Sequence, residues 1–260
     1  MRSVYLYLDR DTPIHRLHPV TKIISLILLF SAAMIFNHPL YLLSLLAFTL
    51  LVGAIGKSLG NVKRVWVILT FLTLFCPAFW MLFLRRGDLL VRIGFIPIYR
   101  ESLLYGIGMA LRLEMMLICG VVFLSCTRIE EFTIGLKRLG LPFPLCFALS
   151  LAFRLVPTFM ITASTVVEAQ KSRGLDLESG NLISRIRRHL PLIIPIFIIG
   201  IRNTDLLAMA LEARGFGFSR RRTCYLEFRK SWLDYAVVSF LLALNLACLA
   251  FRFSPFELPK

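Results

Sequence analysis

Hydrophobic residues along the chain are grouped in long runs that short polar connections separate. Five runs have lengths near the ~20 residues that a helix needs to cross a bilayer. They are Val20–Phe36, Leu40–Ile55, Val65–Leu84, Ser102–Ser125 and Trp232–Phe251. The last run begins with Trp232 and Tyr235, and such aromatic residues anchor helices at membrane interfaces. The pattern predicts an all-α, polytopic membrane protein with about five transmembrane helices.

A stretch of different character, residues 127–230, precedes the last predicted span. Its amphipathic segment Glu130–Leu139 ends at Gly140-Leu141-Pro142. The next segment, Leu145–Arg173, carries Arg154 and Pro157 within its apolar half, which favours a long, kinked, partly cytoplasmic helix over a span. The apolar run Pro191–Ile201 has only 11 residues, which favours a buried or interfacial segment. We therefore expect residues 1–126 to hold four spans, residues 127–230 to form a helical cytoplasmic domain, and residues 231–260 to form the last span and tail.

The composition agrees with a membrane protein and accounts for the positive charge. The hydrophobic content of 58% and the mean hydropathy of +0.77 are higher than in ordinary soluble domains. The net charge of +15 would suggest nucleic acid in a soluble protein, but cytoplasmic segments of membrane proteins collect lysine and arginine. Lys57, Lys63 and Arg64 lie between the second and third spans. They predict a cytoplasmic loop, and therefore a cytoplasmic N-terminus.

Few residues are available to bind a cofactor. Gly56-Lys57-Ser58 is similar to the end of a nucleotide-binding P-loop, but Leu51 occupies the position of the first glycine, so we expect no direct ATP binding. The six cysteines are scattered and predict neither a metal site nor a disulfide framework. His15 and His18 lack a third ligand, so we expect polar surface there rather than a metal site.

The fourth predicted span contains both small and charged residues. Gly106 and Ala110 form a small-residue stripe that lets another helix approach closely. Arg112 and Glu114 lie deeper in the same span, where a charge costs roughly 2.5–3.5 kcal/mol on the insertion scale. Both should therefore face protein or water. A structural pairing with another helix is the favoured interpretation, and a polar relay is the alternative.

One short sequence motif occurs twice within residues 127–230. Ala169-Gln170-Lys171-Ser172-Arg173-Gly174 is followed by Ala210-Leu211-Glu212-Ala213-Arg214-Gly215, with the two arginines 41 positions apart (214 minus 173). Arginine in a last helical turn faces the negative end of the helix dipole, and glycine beyond it ends the helix. Each copy alone predicts an ordinary helix end. The pair indicates two matching ends presented to two matching partners.

The chain resembles the transmembrane T component (EcfT/CbiQ-like) of energy-coupling factor (ECF) transporters, which are importers of vitamins and metal ions in the ABC superfamily. The resemblance covers nearly the whole chain, and the paired arginine motifs are its most specific part. Three further patches support it: Asp11-Thr12-Pro13-Ile14-His15-Arg16-Leu17-His18-Pro19-Val20-Thr21-Lys22, Gly140-Leu141-Pro142 and Phe153-Arg154-Leu155-Val156-Pro157.

This resemblance implies a non-catalytic coupling subunit in a prokaryotic cell membrane. Residues 127–230 would form the coupling domain, and Arg173 and Arg214 would each enter a groove on one of two ATPase subunits. Those ATPases would bind the ATP and magnesium, while a separate membrane protein, the S component, would bind the transported compound. The family usually has Ala-Arg-Gly at both motifs, and here the first is Ser172-Arg173-Gly174.

Two other function classes were weighed against this interpretation. An ordinary ABC permease would carry its own substrate path and pair with a second copy around a pore. An intramembrane enzyme would need a nucleophile, a base or metal ligands at one depth, and no H-E-x-x-H motif is present. Gly56-Lys57-Ser58-Leu59-Gly60 has the G-x-S-x-G spacing, but it follows a predicted membrane helix rather than a strand. Both are less consistent with the sequence than the coupling subunit.

Overall fold

The fold is almost entirely helical in the computed structural model. It describes residues 7–8, 10–36, 38–84, 89–93, 96–175, 182–218, 228 and 230–253. The helices are α1 Pro19–Ile35, α2 Pro39–Ile55, α3 Leu59–Arg64, α4 Trp66–Phe83, α5 Arg100–Cys126, α6 Ile129–Arg138, α7 Phe143–Ser172, α8 Leu182–Ala213 and α9 Trp232–Phe253. The chain divides into two compact units. We call Met1–Leu141 with Phe228–Lys260 the membrane unit, and Pro142–Glu227 the inserted unit.

The all-α prediction is confirmed, and five of the described helices are long and apolar enough to cross a membrane. These five are not the same as the five predicted spans. α4, α5 and α9 belong to both sets. α1 and α2 have 17 residues each, which is fewer than the 18 or more residues of the five long helices. The other two long apolar helices are α7 and α8 of the inserted unit.

Helix α5 is the centre of the membrane unit and packs against α1, α2, α3 and α4. Its contact with α4 is close, because a methyl group built on Gly106 would lie 2.7 Å from the Cα atom of Pro77. Ala110, one turn further, is 3% exposed. Helix α9 packs on α1, so the last helix of the chain lies against the first.

A short antiparallel hairpin connects α4 to α5. It is formed by β1 Leu89–Ile93 and β2 Ile96–Tyr99, with Arg92 opposite Pro97. The sequence indicated only a long connection with four arginines here, Arg85, Arg86, Arg92 and Arg100. Of these, Arg85 and Arg86 lie outside the described residues.

The inserted unit consists of two long helices that pack against each other. The two helices approach closely at Gly200 of α8, where an added methyl group would lie 2.9 Å from the ring of Phe159 in α7. The run Pro191–Ile201 is the middle of the 32-residue α8 and not a separate element. Leu192 in this run is 5% exposed, whereas Ile193, Phe197 and Ile198 are 57–68% exposed. A buried or interfacial position of this run remains a prediction.

Candidate functional site

Both arginine motifs end their helices with the same backbone geometry. At the first, the N–H of Gly174 donates to the carbonyl of Lys171 at 2.9 Å, and the N–H of Leu175 donates to that of Gln170 at 3.0 Å. Gly174 has a φ of +86°, a left-handed conformation that costs little only for glycine. These features define a Schellman-type helix end in which Arg173 is the cap residue.

The second motif repeats this arrangement position by position. The N–H of Gly215 donates to the carbonyl of Glu212 at 2.8 Å, and the N–H of Phe216 donates to that of Leu211 at 2.9 Å. Gly215 has a φ of +74°. The sequence repeat is therefore also a repeat of local structure, and it presents Arg173 and Arg214 in the same way.

The arginine motifs are exposed on the inserted unit. Ala169, Ser172, Arg173, Gly174, Ala210, Ala213, Arg214 and Gly215 are all exposed. Within the part of the chain that the structure describes, no hydrogen bond or ion pair holds either guanidinium. Ser172 bonds its own helix through the Glu168 carbonyl at 3.0 Å, so this hydroxyl is directed at the backbone.

The two arginines lie far apart along the inserted unit. Phe216, two positions after Arg214, packs on Phe147 near the start of α7, with ring centroids 4.5 Å apart. Arg173 lies at the other end of α7, 26 residues beyond Phe147 (173 minus 147). At 1.5 Å per residue that length of helix spans about 39 Å. The two guanidinium groups therefore occupy opposite ends of the helix pair.

The remaining residues singled out in α7 have different surroundings. Arg154 is exposed, although it lies in an apolar stretch, and Pro157 is half-buried in the helix interior. Phe153 and Val156 beside them are 39% and 49% exposed. This side of α7 is therefore available to a membrane surface or to another protein.

Arg112 and Glu114 each contact a different helix. The guanidinium of Arg112 donates to the carbonyl of Ala33 at 3.1 Å and to that of Phe36 at 2.6 Å, at the end of α1 where helix carbonyls lack partners. Glu114 accepts a hydrogen bond from the hydroxyl of Thr73 in α4. These contacts agree with the structural-pairing interpretation. They link α5 to α1 and to α4.

Comparison with known proteins identifies the family. Residues 10–225 match the CbiQ family, described as cobalt transport protein, and this segment includes both arginine motifs. The chain belongs to the CbiQ family. It is 30% identical over 254 residues to the energy-coupling factor transporter transmembrane protein EcfT of Streptococcus thermophilus, with 92% of this chain and 94% of that protein covered. The EcfT of Acidaminococcus fermentans is 32% identical with 84% of each chain covered, and that of Bacillus subtilis is 28% identical with 92% and 93% covered.

In this CbiQ-family chain, sequence reasoning did not predict the buried contacts of the N-terminal arm, the polar segment that precedes α1. His18 was expected on the polar surface, but it is 1% exposed. Its Nε2 atom lies 2.6 Å from the guanidinium of Arg138, and its ring lies edge-on to that of Phe228 at 6.4 Å. His15 is half-buried, and its ring contacts the hydroxyl of Thr12 at 2.6 Å. The expectation of polar surface was therefore wrong for His18, whereas His15 is half-buried and contacts the buried Thr12.

Lys22 is the second missed residue of the CbiQ-family membrane unit. It lies four positions after His18, in the first turn of α1, and its side chain is 4% exposed. The ammonium donates to the carbonyls of His15 and Cys126 at 2.9 Å each and to the carboxylate of Glu131 at 2.7 Å. An ammonium has three N–H donors, so all of them are used. Because Lys22 lies within the hydrophobic run Val20–Phe36, it could have been identified from the sequence as a buried charge that needs an acidic partner.

Proposed function

We propose that this chain is the energy-coupling transmembrane subunit of an ECF-type importer. It links ATP hydrolysis by two partner ATPase subunits to the reorientation of a substrate-binding S component that carries a vitamin or a metal ion. The subunit itself is non-catalytic, and ATP with magnesium binds to the partners. The observation that carries the proposal is the pair of matched, exposed helix ends at Arg173 and Arg214.

Arginine at a rigid helix end is suited to docking in an acidic groove. A guanidinium makes paired hydrogen bonds with a carboxylate, and lysine cannot reproduce that geometry. The left-handed glycine after each arginine fixes the direction in which the chain leaves the helix. Because the two ends are about 39 Å apart along α7, each is positioned to engage a different ATPase subunit. Closure of the ATPase pair would then move both helices together.

For this mechanism both arginines must lie on the cytoplasmic side. We propose that α7 and α8 lie along the membrane interface and that the N-terminus is cytoplasmic. Support comes from exposed polar groups in both helices, namely Arg154 in α7 and Arg202, Asn203 and Asp205 in α8. Burying these charges among lipid tails would be costly. An interfacial helix can instead keep its charged side in water.

A labelling experiment tests this placement. Lys171 and Glu212 are exposed neighbours of the two arginines, and each would be changed to cysteine in a background without the native cysteines. A membrane-impermeant maleimide added to inverted vesicles should label both positions, and the same reagent added to intact cells should label neither. Labelling of the two positions from opposite sides would mean that α7 crosses the bilayer. The proposal would then fail, because no common motor could engage both ends.

Substitution tests the docking role directly. Arg173→Ala and Arg214→Ala should each weaken co-purification of the ATPases, and the double variant should abolish both co-purification and substrate uptake. Arg202→Ala is the matched control, because Arg202 is also an exposed arginine of α8 but lies outside the motifs. Full uptake by the double variant would contradict the proposal. A purified complex with two copies of this chain and no S component would instead support an ordinary ABC permease.

A further inference from the structure

The membrane unit contains a cavity that the proposed docking role does not use. It has a volume of about 420 Å³ and lies among α1, α2, α5 and α9. Apolar side chains form most of its wall, including Leu26, Leu29, Val52 and Phe240. A volume of ~300–1,000 Å³ is typical of cavities that bind small organic molecules.

The cavity begins at one end of the helices. On α1 it extends from Lys22 to Leu29, which are seven residues apart, and on α9 it extends from Leu233 to Leu241, which are eight apart. At 1.5 Å per residue these stretches span about 10–12 Å. One leaflet of the hydrocarbon core is about 15 Å deep, half of the ~30 Å total. The cavity is therefore nearly as deep as the hydrocarbon part of one leaflet.

Among the residues that the structure describes, none is a hydrogen-bond partner of two hydroxyl groups in the cavity wall. They are the Oγ atom of Ser25 and the Oγ1 atom of Thr127, and both oxygen atoms are buried. Thr127 is only 6% exposed as a residue. A buried hydroxyl without a partner is unfavourable, and such groups in native proteins are usually satisfied by water or a bound molecule. The neighbouring Lys22 does not satisfy them, because its three donors are bonded elsewhere.

The chemistry of this wall selects an occupant with a long apolar chain and an acceptor oxygen at one end. Water alone does not fit, since a cavity with so apolar a lining stays largely dry. A helix of a partner protein is ~10–12 Å across with its side chains, too wide for this volume. We propose that the cavity binds one acyl chain of a membrane phospholipid, with an ester carbonyl oxygen accepting hydrogen bonds from the hydroxyls of Thr127 and Ser25.

The test uses the full-length protein in liposomes that contain phosphatidylethanolamine with a photoactivatable diazirine in the middle of one acyl chain. After irradiation, mass spectrometry locates the cross-linked residues. We expect labelling to be concentrated on the segments 22–29, 119–127 and 233–241. Even labelling of the lipid-facing surface, for example along Phe71, Phe75 and Phe79 of α4, would overturn the proposal.

Two variants and one control separate a specific site from general lipid contact. Ser25→Leu fills the cavity and should abolish the concentrated labelling. Thr127→Val removes one hydroxyl at nearly constant shape and should reduce labelling about fivefold, the factor expected for one neutral hydrogen bond. Ser239→Leu should change nothing, because Ser239 is exposed on α9 and its hydroxyl bonds its own helix. Equal labelling in all four proteins would overturn the proposal.

A stability measurement provides an independent readout, and neither experiment needs an ATPase or an S component. The thermal stability of delipidated protein should rise when phosphatidylethanolamine is added. Delipidated Ser25→Leu should start at a higher stability and respond less. If free oleate stabilises the wild-type protein and phosphatidylethanolamine does not, the occupant is a fatty acid and the phospholipid proposal is wrong.

Discussion

The backbone N–H of His18 donates a 2.7 Å hydrogen bond to the carboxylate of Asp234, 216 positions later in the chain. The same carboxylate accepts the N–H of Ser231 at 2.7 Å and so caps the start of α9 with one of the two hydrogen bonds of a capping box. Asp234 is 3% exposed. One buried carboxylate therefore joins the beginning of the first helix to the beginning of the last.

Replacing Asp234 should destabilise the membrane unit. Asp234→Ala removes the acceptor of two charge-assisted hydrogen bonds and leaves the N–H of His18 buried without a partner. We expect a loss of about 3 kcal/mol in the free energy of unfolding, measured by denaturant titration in detergent. Asp11→Ala is the control, because that carboxylate is 85% exposed and should cost about 0.5 kcal/mol or less. Equal effects of the two substitutions would refute a buried role for Asp234.

Acid should weaken the fold through His18. Burial lowers the pKa of His18 below its ordinary 6.5, the charges of Arg138 and Lys230 lower it further, and Asp234 partly opposes them. The folded protein thus binds a proton at this ring less readily than the unfolded chain does, and the unfolded chain takes one up as the pH falls through 6.5. Stability should be constant above that pH and fall as the pH drops from 6.5 toward the lowered value, by up to about 1.4 kcal/mol per pH unit.

His18→Gln isolates this effect, because glutamine does not titrate and the other histidines stay in place. Unfolding of both proteins would be compared at pH 7.5 and pH 5.5. The wild type should lose more stability than the variant between the two conditions. A parallel decline in both proteins would assign the pH dependence to other groups.

The buried ion pair of Lys22 and Glu131 should be costly to break and inexpensive to replace. Lys22→Met leaves Glu131 without its cation, and Glu131 is only 15% exposed, so we expect a loss of about 3–5 kcal/mol. The double variant Lys22→Met with Glu131→Leu should recover part of that loss, since no charge is then left unpaired. Thermal unfolding of the three proteins measures the difference. A double variant less stable than Lys22→Met alone would contradict this account.

Two glycines of α5 should respond in opposite ways to alanine. At Gly106 the new methyl group would meet the backbone of Pro77 at 2.7 Å, so Gly106→Ala should destabilise the protein by about 1–3 kcal/mol. At Gly120 nothing lies within 4 Å, and Gly120→Ala should stabilise it by about 0.5–1 kcal/mol. Thermal unfolding of both variants checks the sign. Destabilisation by both would contradict the open space beside Gly120.

Local pattern predicted the helices well because their signals are short-range. The amphipathic segment with its Gly140 ending became α6, with a φ of +106° at that glycine, and the long helix before Arg173 became α7. The repeat of small-Arg-Gly predicted a repeated helix end for the same reason, since a Schellman-type end depends on six consecutive residues. The hairpin at Leu89–Tyr99 was missed, because pairing of two short strands leaves a weaker signal than helical periodicity.

The arm could not be predicted in the same way, because its role depends on distant partners. His18, Arg138 and Asp234 come together from three separate parts of the sequence, and nothing in the spacing of His15 and His18 indicates which residues they will meet. Polar residues at the start of a hydrophobic run are usually exposed, so exposure was the reasonable expectation. Tertiary contacts reversed it.

The ring of His18 touches Arg138, just before the inserted unit begins, and Phe228, the first residue after that unit ends. The segments of the membrane unit that precede and follow the inserted unit therefore both contact the side chain of His18. A short linker in place of Pro142–Glu227 could close the helical body without stretching it. The insertion can in that sense be removed or exchanged between relatives without disturbing the packing of the helices that remain.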